Sequence, residues 1–429
     1  MKDIVKFFDY NLKKKNLKEI FKFIRKNFVF LYENVYILIE IESYLKEIDK
    51  IKDIEDNLFK ILLARVYCVK HEEESIKEVY KNFDLNTLEK EYHSFYYFTV
   101  ALYYFNRKKF NIALKILENG YELTEKGEKE TDIYIKSKIE NLRGIISFHF
   151  SNYEDALKHF NTSYILSEKM NISESSRRGI MENIAMIHFV RGDFEECIKI
   201  CEDVLKKTKE RNYDYRIFRK ISASFLNLGD FEKAEKFIIE ALKNIEKFKG
   251  PEFYKIFIYI DYIDILINKN KFREAEKYVK KLVKFRNKYC FMDINSNIDL
   301  TLIKYFLIKE EFEKVQEFLT NFKGSDNHLF LSEYFLYSAI FYYYKKDFLK
   351  AEEYYRKASY IAPEFSFISK LINFIYSFYL LSKGDKNFIE LTLKQNLPSV
   401  FEDFFNDKGK FKSDLTHIDI IKRFSRFFI

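Results

Sequence analysis

The sequence predicts an all-α fold, a right-handed superhelical solenoid of antiparallel helix hairpins, and three observations predict it. Seven short stretches repeat an aromatic residue, two positions and a small or aliphatic residue: KKFNIA, SNYEDA, GDFEEC, GDFEKA, NKFREA, EEFEKV and KDFLKA. Their aromatics, Phe110, Tyr153, Phe194, Phe231, Phe272, Phe312 and Phe348, lie 36 to 43 residues apart. A period of that size flanked by helical patterning is the signature of stacked hairpins. Breakers are scarce: 3 Pro and 10 Gly in 429 residues, the first glycine being Gly120. That scarcity favours helix nearly everywhere.

The third observation is a pair of small sites in fixed phase with each aromatic. Nine residues before it stand Ala101, Gly144, Ala185, Ser222, Ile263, Ile303 and Ala339, mostly small, where two helices should cross most closely. Three residues after it stand Ala113, Ala156, Cys197, Ala234, Ala275, Val315 and Ala351. In the repeat around Phe194, Ile180, Ile184, Ile187 and Val190 follow helical spacing up to the turn Arg191-Gly192-Asp193. Phe194, Cys197, Ile198, Cys201 and Leu205 then continue at three- and four-residue steps. Glycine in that turn takes the left-handed conformation that ends a helix.

Taken in order, residues 1–92 read as helical, diverged hairpins, with Leu17, Ile20, Phe21, Ile24 and Phe28 on one stripe. Residues 93–365 hold the seven repeats. Residues 366–429 add a hairpin around Gly384-Asp385 and a closing segment, IDIIKRFSRFFI, that places Ile418, Ile421, Phe424 and Phe428 on one helical face. That segment is expected to cap the last repeat, since solenoid ends must be sealed. Docking of this basic amphipathic helix on a membrane or partner is the alternative.

Composition narrows the function. Hydrophobic residues make up 47% of the chain and charged residues 33%, enough for a core and a wet surface. A net charge of +8 spread over 74 basic and 66 acidic side chains is too mixed for a committed nucleic-acid binder. The first residues lack the apolar core of a signal peptide, and no apolar run is long enough to span a bilayer. Cys68, Cys197, Cys201 and Cys290 are too scattered for a disulfide framework. The expected location is the cytoplasm, and a homo-oligomer stays open.

Catalytic chemistry finds no footing. The 7 histidines form no metal-spaced pair, and no phosphate-binding glycine loop or nucleophile elbow is present. Cys197 and Cys201 lie one turn apart but on the expected buried stripe, where cysteine acts as a small hydrophobe. No cofactor, metal or catalytic residue is expected, and the chain reads as a non-enzyme.

The motifs resemble the tetratricopeptide-repeat family. Gly192-Asp193-Phe194-Glu195-Glu196-Cys197 and Gly229-Asp230-Phe231-Glu232-Lys233-Ala234 match that family's turn and second helix, and Pro363 sits at its inter-repeat proline. The resemblance covers about residues 93–365. The period exceeds the family's usual length of about 34, which is closer to the repeats of bacterial peptide-sensing regulators. It implies that the first helix of each hairpin, helix A, lines an inner groove. By phase the inward polar positions are then Asn141, Asn183, Arg216, Arg219, Lys220, Asn227, Asp261, Asp264, Asn268 and Lys304. Asparagine matches a peptide backbone in donors and acceptors, and Arg and Lys can grip a carboxylate. Asn183, Arg216 and Lys220 fall at three of the five phases of the family's clamp for C-terminal carboxylates; Asn141 and Ile145 occupy the other two with the wrong residue types. The expected function is a protein- or peptide-binding scaffold or adaptor. A peptide-sensing regulator of the quorum-sensing receptor type is the alternative, although residues 1–92 contain neither glycine nor glutamine.

Overall fold

In the computed structural model every regular element among the described residues is a helix. The described residues are 2–423 apart from 51–56, 82, 125–128, 171–173, 210, 287–291, 326, 365 and 383–415. The chain divides into two compact units, Met1–Ile180 and Met181–Ile429.

In the first unit α1 (Lys2–Lys13) and α2 (Leu17–Lys26) are followed by the short α3 (Phe28–Glu33) and by α4 (Val35–Asp49). Three hairpins follow: α5 (Leu58–Lys70) with α6 (Glu73–Lys81), α7 (His93–Asn106) with α8 (Phe110–Glu122), and α9 (Glu130–His149) with α10 (Tyr153–Lys169). Helix α11 (Glu174–Arg191) contributes residues to both units. The second unit continues with α12 (Phe194–Lys207), then α13 (Asp214–Leu228) paired with α14 (Phe231–Lys247) and α15 (Glu252–Asn268) with α16 (Phe272–Phe285). Next come α17 (Met292–Ile308) with α18 (Phe312–Asn321) and α19 (His328–Tyr344) with α20 (Phe348–Ile361). Helices α21 (Phe367–Ser382) and α22 (His417–Arg423) complete it. This is the tetratricopeptide-like helical-repeat solenoid that the sequence predicts. The hairpin expected around Gly384-Asp385 lies outside the described residues.

Each of the seven motif aromatics is the first residue of a second helix, helix B. The small sites explain why. Ala113, Ala156, Cys197, Ala234, Ala275, Val315 and Ala351 are wholly buried, as are Ala101, Ala185, Ser222, Ile263, Ile303 and Ala339 on the facing A helices. At Gly144 even one methyl would meet the Phe160 ring at 2.6 Å. The Ser222 hydroxyl donates to the Ala234 carbonyl at 2.7 Å, tying one repeat's two small sites together. Backbones this close leave no room for larger side chains.

The turns share a second device. Two residues before each aromatic the backbone is left-handed: Lys108, Ser151, Gly192, Gly229, Asn270, Glu310 and Lys346 all have φ between 57° and 88°. His71 (φ 58°) stands two residues before Glu73, the first residue of α6, and Lys15 (φ 53°) two before Leu17, the first of α2. The buried positions keep phase as well: Ala64 and Ile76 flank Glu73 as Phe8 and Ile20 flank Leu17. Two further hairpins thus obey the same rule, hidden in the sequence because Glu73 and Leu17 replace the aromatic.

Helix α22 does more than seal an end. Ile418, Ile420 and Ile421 are buried, and it packs on α15, α17 and α21. His417 sits among the rings of Tyr343, Tyr355 and Phe378. Asn268 Nδ2 donates to the Lys422 carbonyl at 2.7 Å, and Lys422 Nζ to Asn270 Oδ1 at 2.8 Å. Arg423 Nη1 donates to the Leu226 carbonyl at 2.7 Å and stacks over Phe231. The helix runs back across the A-helix ends of several repeats, where the last carbonyls of α13 and the turn asparagine of α15 offer acceptors to its cations.

Candidate functional site

From α11 to α17 successive A helices of the second unit alternate in charge on their facing sides, and each of these three junctions holds an ion pair. Between α11 and α13, Arg216 Nη2 lies 2.7 Å and Lys220 Nζ 3.9 Å from Glu182 Oε2. Between α13 and α15, Arg219 Nε donates to Asp261 Oδ2 at 2.8 Å. Between α15 and α17, Lys304 Nζ donates to Asp264 Oδ1 at 2.9 Å. Arg286, just past α16, pairs with Asp299 of α17 at 2.5 Å. The acidic rungs are almost dry, with Glu182, Asp261 and Asp264 at 2%, 0% and 1% exposure and Lys304 at 2%.

Burial of such groups is tolerable only with partners at this range, because an isolated charge in the interior costs several kcal/mol or more. A single turn of α15 carries the logic: Asp261 and Asp264 are spaced to share a face, and each reaches a different neighbouring helix. Sequence phase put Asn227, Asp261, Asp264 and Lys304 against a ligand across solvent. The structure buries all four and satisfies them internally, Asn227 through its own helix at the Ala223 carbonyl, 3.0 Å away. The physical reason is closure. Helix α22 lies over α15 and α17, and the start of α21 returns to the α11–α12 turn, with Phe367 5.1 Å from the Phe194 ring.

Arg216 differs from the rest. Its side chain is 34% exposed, and it shares the single Glu182 carboxylate with Lys220. Its Nε is buried and has no acceptor among the described residues. Burial, the largest influence, works against its charge, but Glu182 together with Tyr254, Tyr215 and Tyr213 outweighs it and lifts the guanidinium pKa further. Two cations on one acid, with a donor to spare, leave capacity for a second carboxylate. Asn183, on α11, is half-buried, as is Asn141 on α9 in the first unit. Asn268 already reads a backbone carbonyl, that of Lys422. Cys197 and Cys201 are wholly buried on the α12 stripe.

No protein-family model matches the sequence, and no curated protein matches it either. Solved structures do resemble it. The apo quorum sensor NprR from B. thuringiensis superposes with a TM-score of 0.61 at 15% identity, covering 81% of this chain and 99% of that one. A Rap protein complexed with Competence and Sporulation Factor gives 0.59 at 14% identity, over 79% and 98%. Aspartyl phosphate phosphatase F from Bacillus subtilis gives 0.54 at 13%, over 77% and 91%. The fold is the Rap and NprR fold.

Glu182, Arg286 and Asp299 are the members of the ladder that sequence reasoning missed. A signal was present. The partners of Asp261 and Asp264 lie 42 residues before and 40 after, one repeat period away in each direction. Acidic and basic residues at equal phase in adjacent repeats mark such rungs. Among the described residues no helix is long and apolar enough to cross a membrane.

Proposed function

We propose that the chain is a non-enzymatic scaffold or adaptor that binds a protein segment or extended peptide along its A helices, at Asn183, Arg216 and Lys220 in the second unit, with Asn141 a contact of the same kind in the first. The single observation that carries this is the α13 site, where Arg216 and Lys220 share Glu182 and Arg216 keeps an unused donor. An acidic side chain or C-terminal carboxylate of a partner fits there. Arg216 is the exposed point of first contact. Arg219, Asn227, Asp261, Asp264 and Lys304 hold the rungs that keep α13 in register. The repeats of residues 93–365 carry the binding, and α21 and α22 pack over those of the second unit. Groove ligands of this kind bind near micromolar, about −8 kcal/mol.

Selecting peptides on the full-length chain from a random library tests this, with C-termini left as carboxylates in one arm and amidated in the other. Enrichment of carboxylate or acidic residues, with affinity lost about tenfold in Arg216→Ala at unchanged helicity, is expected. Selection indifferent to acidity, or an unaffected Arg216→Ala, would sink the reading.

A second reading, a peptide-sensing regulator, is favoured by one observation: the likeness to NprR and to the Rap–factor complex covers 99% and 98% of those chains, their N-terminal parts included. The absence of both a DNA mobility shift and aspartyl-phosphate hydrolysis from a response regulator, with and without selected peptide, would retire its output half.

A further inference from the structure

The first unit contains another place where charge does not balance. Four distant stretches converge there: Glu33 at the end of α3, Arg65 in the middle of α5, Lys138 in the middle of α9 and Ser176 in the first turn of α11. Lys138 Nζ donates to Ser176 Oγ at 2.7 Å, and Ser176 Oγ donates to Glu33 Oε1 at 2.8 Å. The Lys138 ammonium is 3.9 Å from the same carboxylate. Aromatic rings form the walls: Lys138 lies 5.2 Å from the Tyr134 centroid and Arg65 5.5 Å from that of Tyr32.

Two cations face one carboxylate. The Arg65 guanidinium makes no ion pair with any described acid, and its Nε is buried without an acceptor. A buried donor left without an acceptor is destabilising. Lys138 shows the same deficit: burial pulls its pKa down to about 8, Glu33 offsets only part of that, and Arg65 lowers it a little further. The cluster is not sealed, since the Lys138 side chain is 23% exposed.

We propose that Arg65 and Lys138 form a binding site for a small oxyanion, a phosphate or carboxylate group. One added negative charge neutralises the cluster and gives Arg65 Nε its acceptor. The planar guanidinium presents two parallel donors to such a group, and the Tyr32 and Tyr134 rings exclude water from the flanks. The site is separate from the peptide reading, which rests on Arg216 and Lys220.

The groups that face Lys138 are Glu33 from α3, Arg65 from α5, Tyr134 from α9 and Ser176 from α11; Cys68 of α5 stands near Arg65 and bonds the Thr99 carbonyl. Burial raises the Cys68 thiol to about 12 and Tyr134 well above its ordinary value. Lys138, at about 8, changes charge between pH 7 and 9, so binding of acetate, which does not itself titrate there, takes up a proton and weakens about tenfold across that range.

Isothermal titration of the full-length chain with sodium phosphate, with sodium acetate and with sodium chloride at matched ionic strength tests the site. Phosphate or acetate, but not chloride, should bind, and which of the two binds tighter identifies the source. Arg65→Met and Lys138→Met should each weaken binding about tenfold or more. Lys138→Met should also abolish the proton uptake, read as buffer-dependent heat at pH 8, while the exposed control Lys199→Met changes neither. Binding no stronger than chloride, or equal in the variants, overturns the proposal. If Arg65→Met does not fold, judged by circular dichroism, Arg65→Lys keeps the charge without the fork. A several-fold loss there supports the site, and unchanged affinity overturns it.

Discussion

Seven of the nine hairpin turns in phase place a residue other than glycine in left-handed backbone, at a cost of about 1–2 kcal/mol each. Lys346 (φ 60°) is exposed, so its side chain contributes little to offset that strain. Lys346→Gly should therefore stabilise the chain by about 0.5–1 kcal/mol in urea unfolding, even though glycine loosens the unfolded state. Gly229→Ala should act in the opposite direction, since φ is +88° there and the added methyl meets the Arg423 guanidinium. A destabilised Lys346→Gly would mean the turn is held by something other than backbone geometry. The buried rungs give a second test at this scale. Lys304→Met leaves Asp264 charged and dry, which should cost about 3–5 kcal/mol, whereas Lys304→Met with Asp264→Leu should recover most of the loss. Equal damage in the single and double variants would show that packing, not the charge pair, dominates at that junction.

Helix α22 is the element whose docking depends on one protonation state. His417 is buried against Tyr343 and Tyr344 of α19, Tyr355 of α20 and Phe378 of α21, with no carboxylate among these neighbours; Asp419, on its own helix, is engaged by Thr416. Burial lowers the His417 pKa to about 3. A histidine undocked into water titrates near 6.5. The docked state thus binds fewer protons, its stability is complete above about pH 6.5, and it falls as pH drops toward 3. Once each observed rate is divided by the intrinsic amide rate at that pH, which itself falls as pH drops, the opening constant over 417–423 should rise by up to about tenfold per pH unit between 6.5 and 5, before most carboxylates titrate. His417→Phe should flatten that rise. A pH-independent opening constant in the native chain would show that the imidazole does not govern docking. The amphipathic pattern of this segment was legible in the sequence, but its seat was not. Apolar spacing reports that a face is covered, while the Asn268 and Leu226 contacts that select the surface carry no periodic signal.

In each unit the repeats were legible because close helix crossing admits only small residues, which forces Ala113, Ala234 and Ala351 into one phase with the aromatics. The first hairpins escaped notice since Leu17 and Glu73 fill the aromatic position, Glu73 gaining from the partial positive charge at the start of α6. Polar A-helix residues were legible one by one, but their pairing depends on which helix stands beside which. Closure of the second unit was not legible at all, because the contact of Phe367 with Gly192 and Phe194 joins segments far apart in sequence. That contact makes its own prediction. In an open array each repeat touches only its neighbours, and damage stays local. Here Phe367 is wholly buried, a methyl on Gly192 would meet it at 2.7 Å, and Lys370 reaches the Arg191 carbonyl at 3.5 Å. Phe367→Ala removes a buried ring, a loss of about 3–5 kcal/mol. Exchange should then accelerate at residues 189–196 as much as at 367–373, while α15 and α16 keep their protection. Acceleration confined to α21 would mean that the second unit behaves as an open stack in solution, and that the dryness of Asp261 and Asp264 comes from α22 alone.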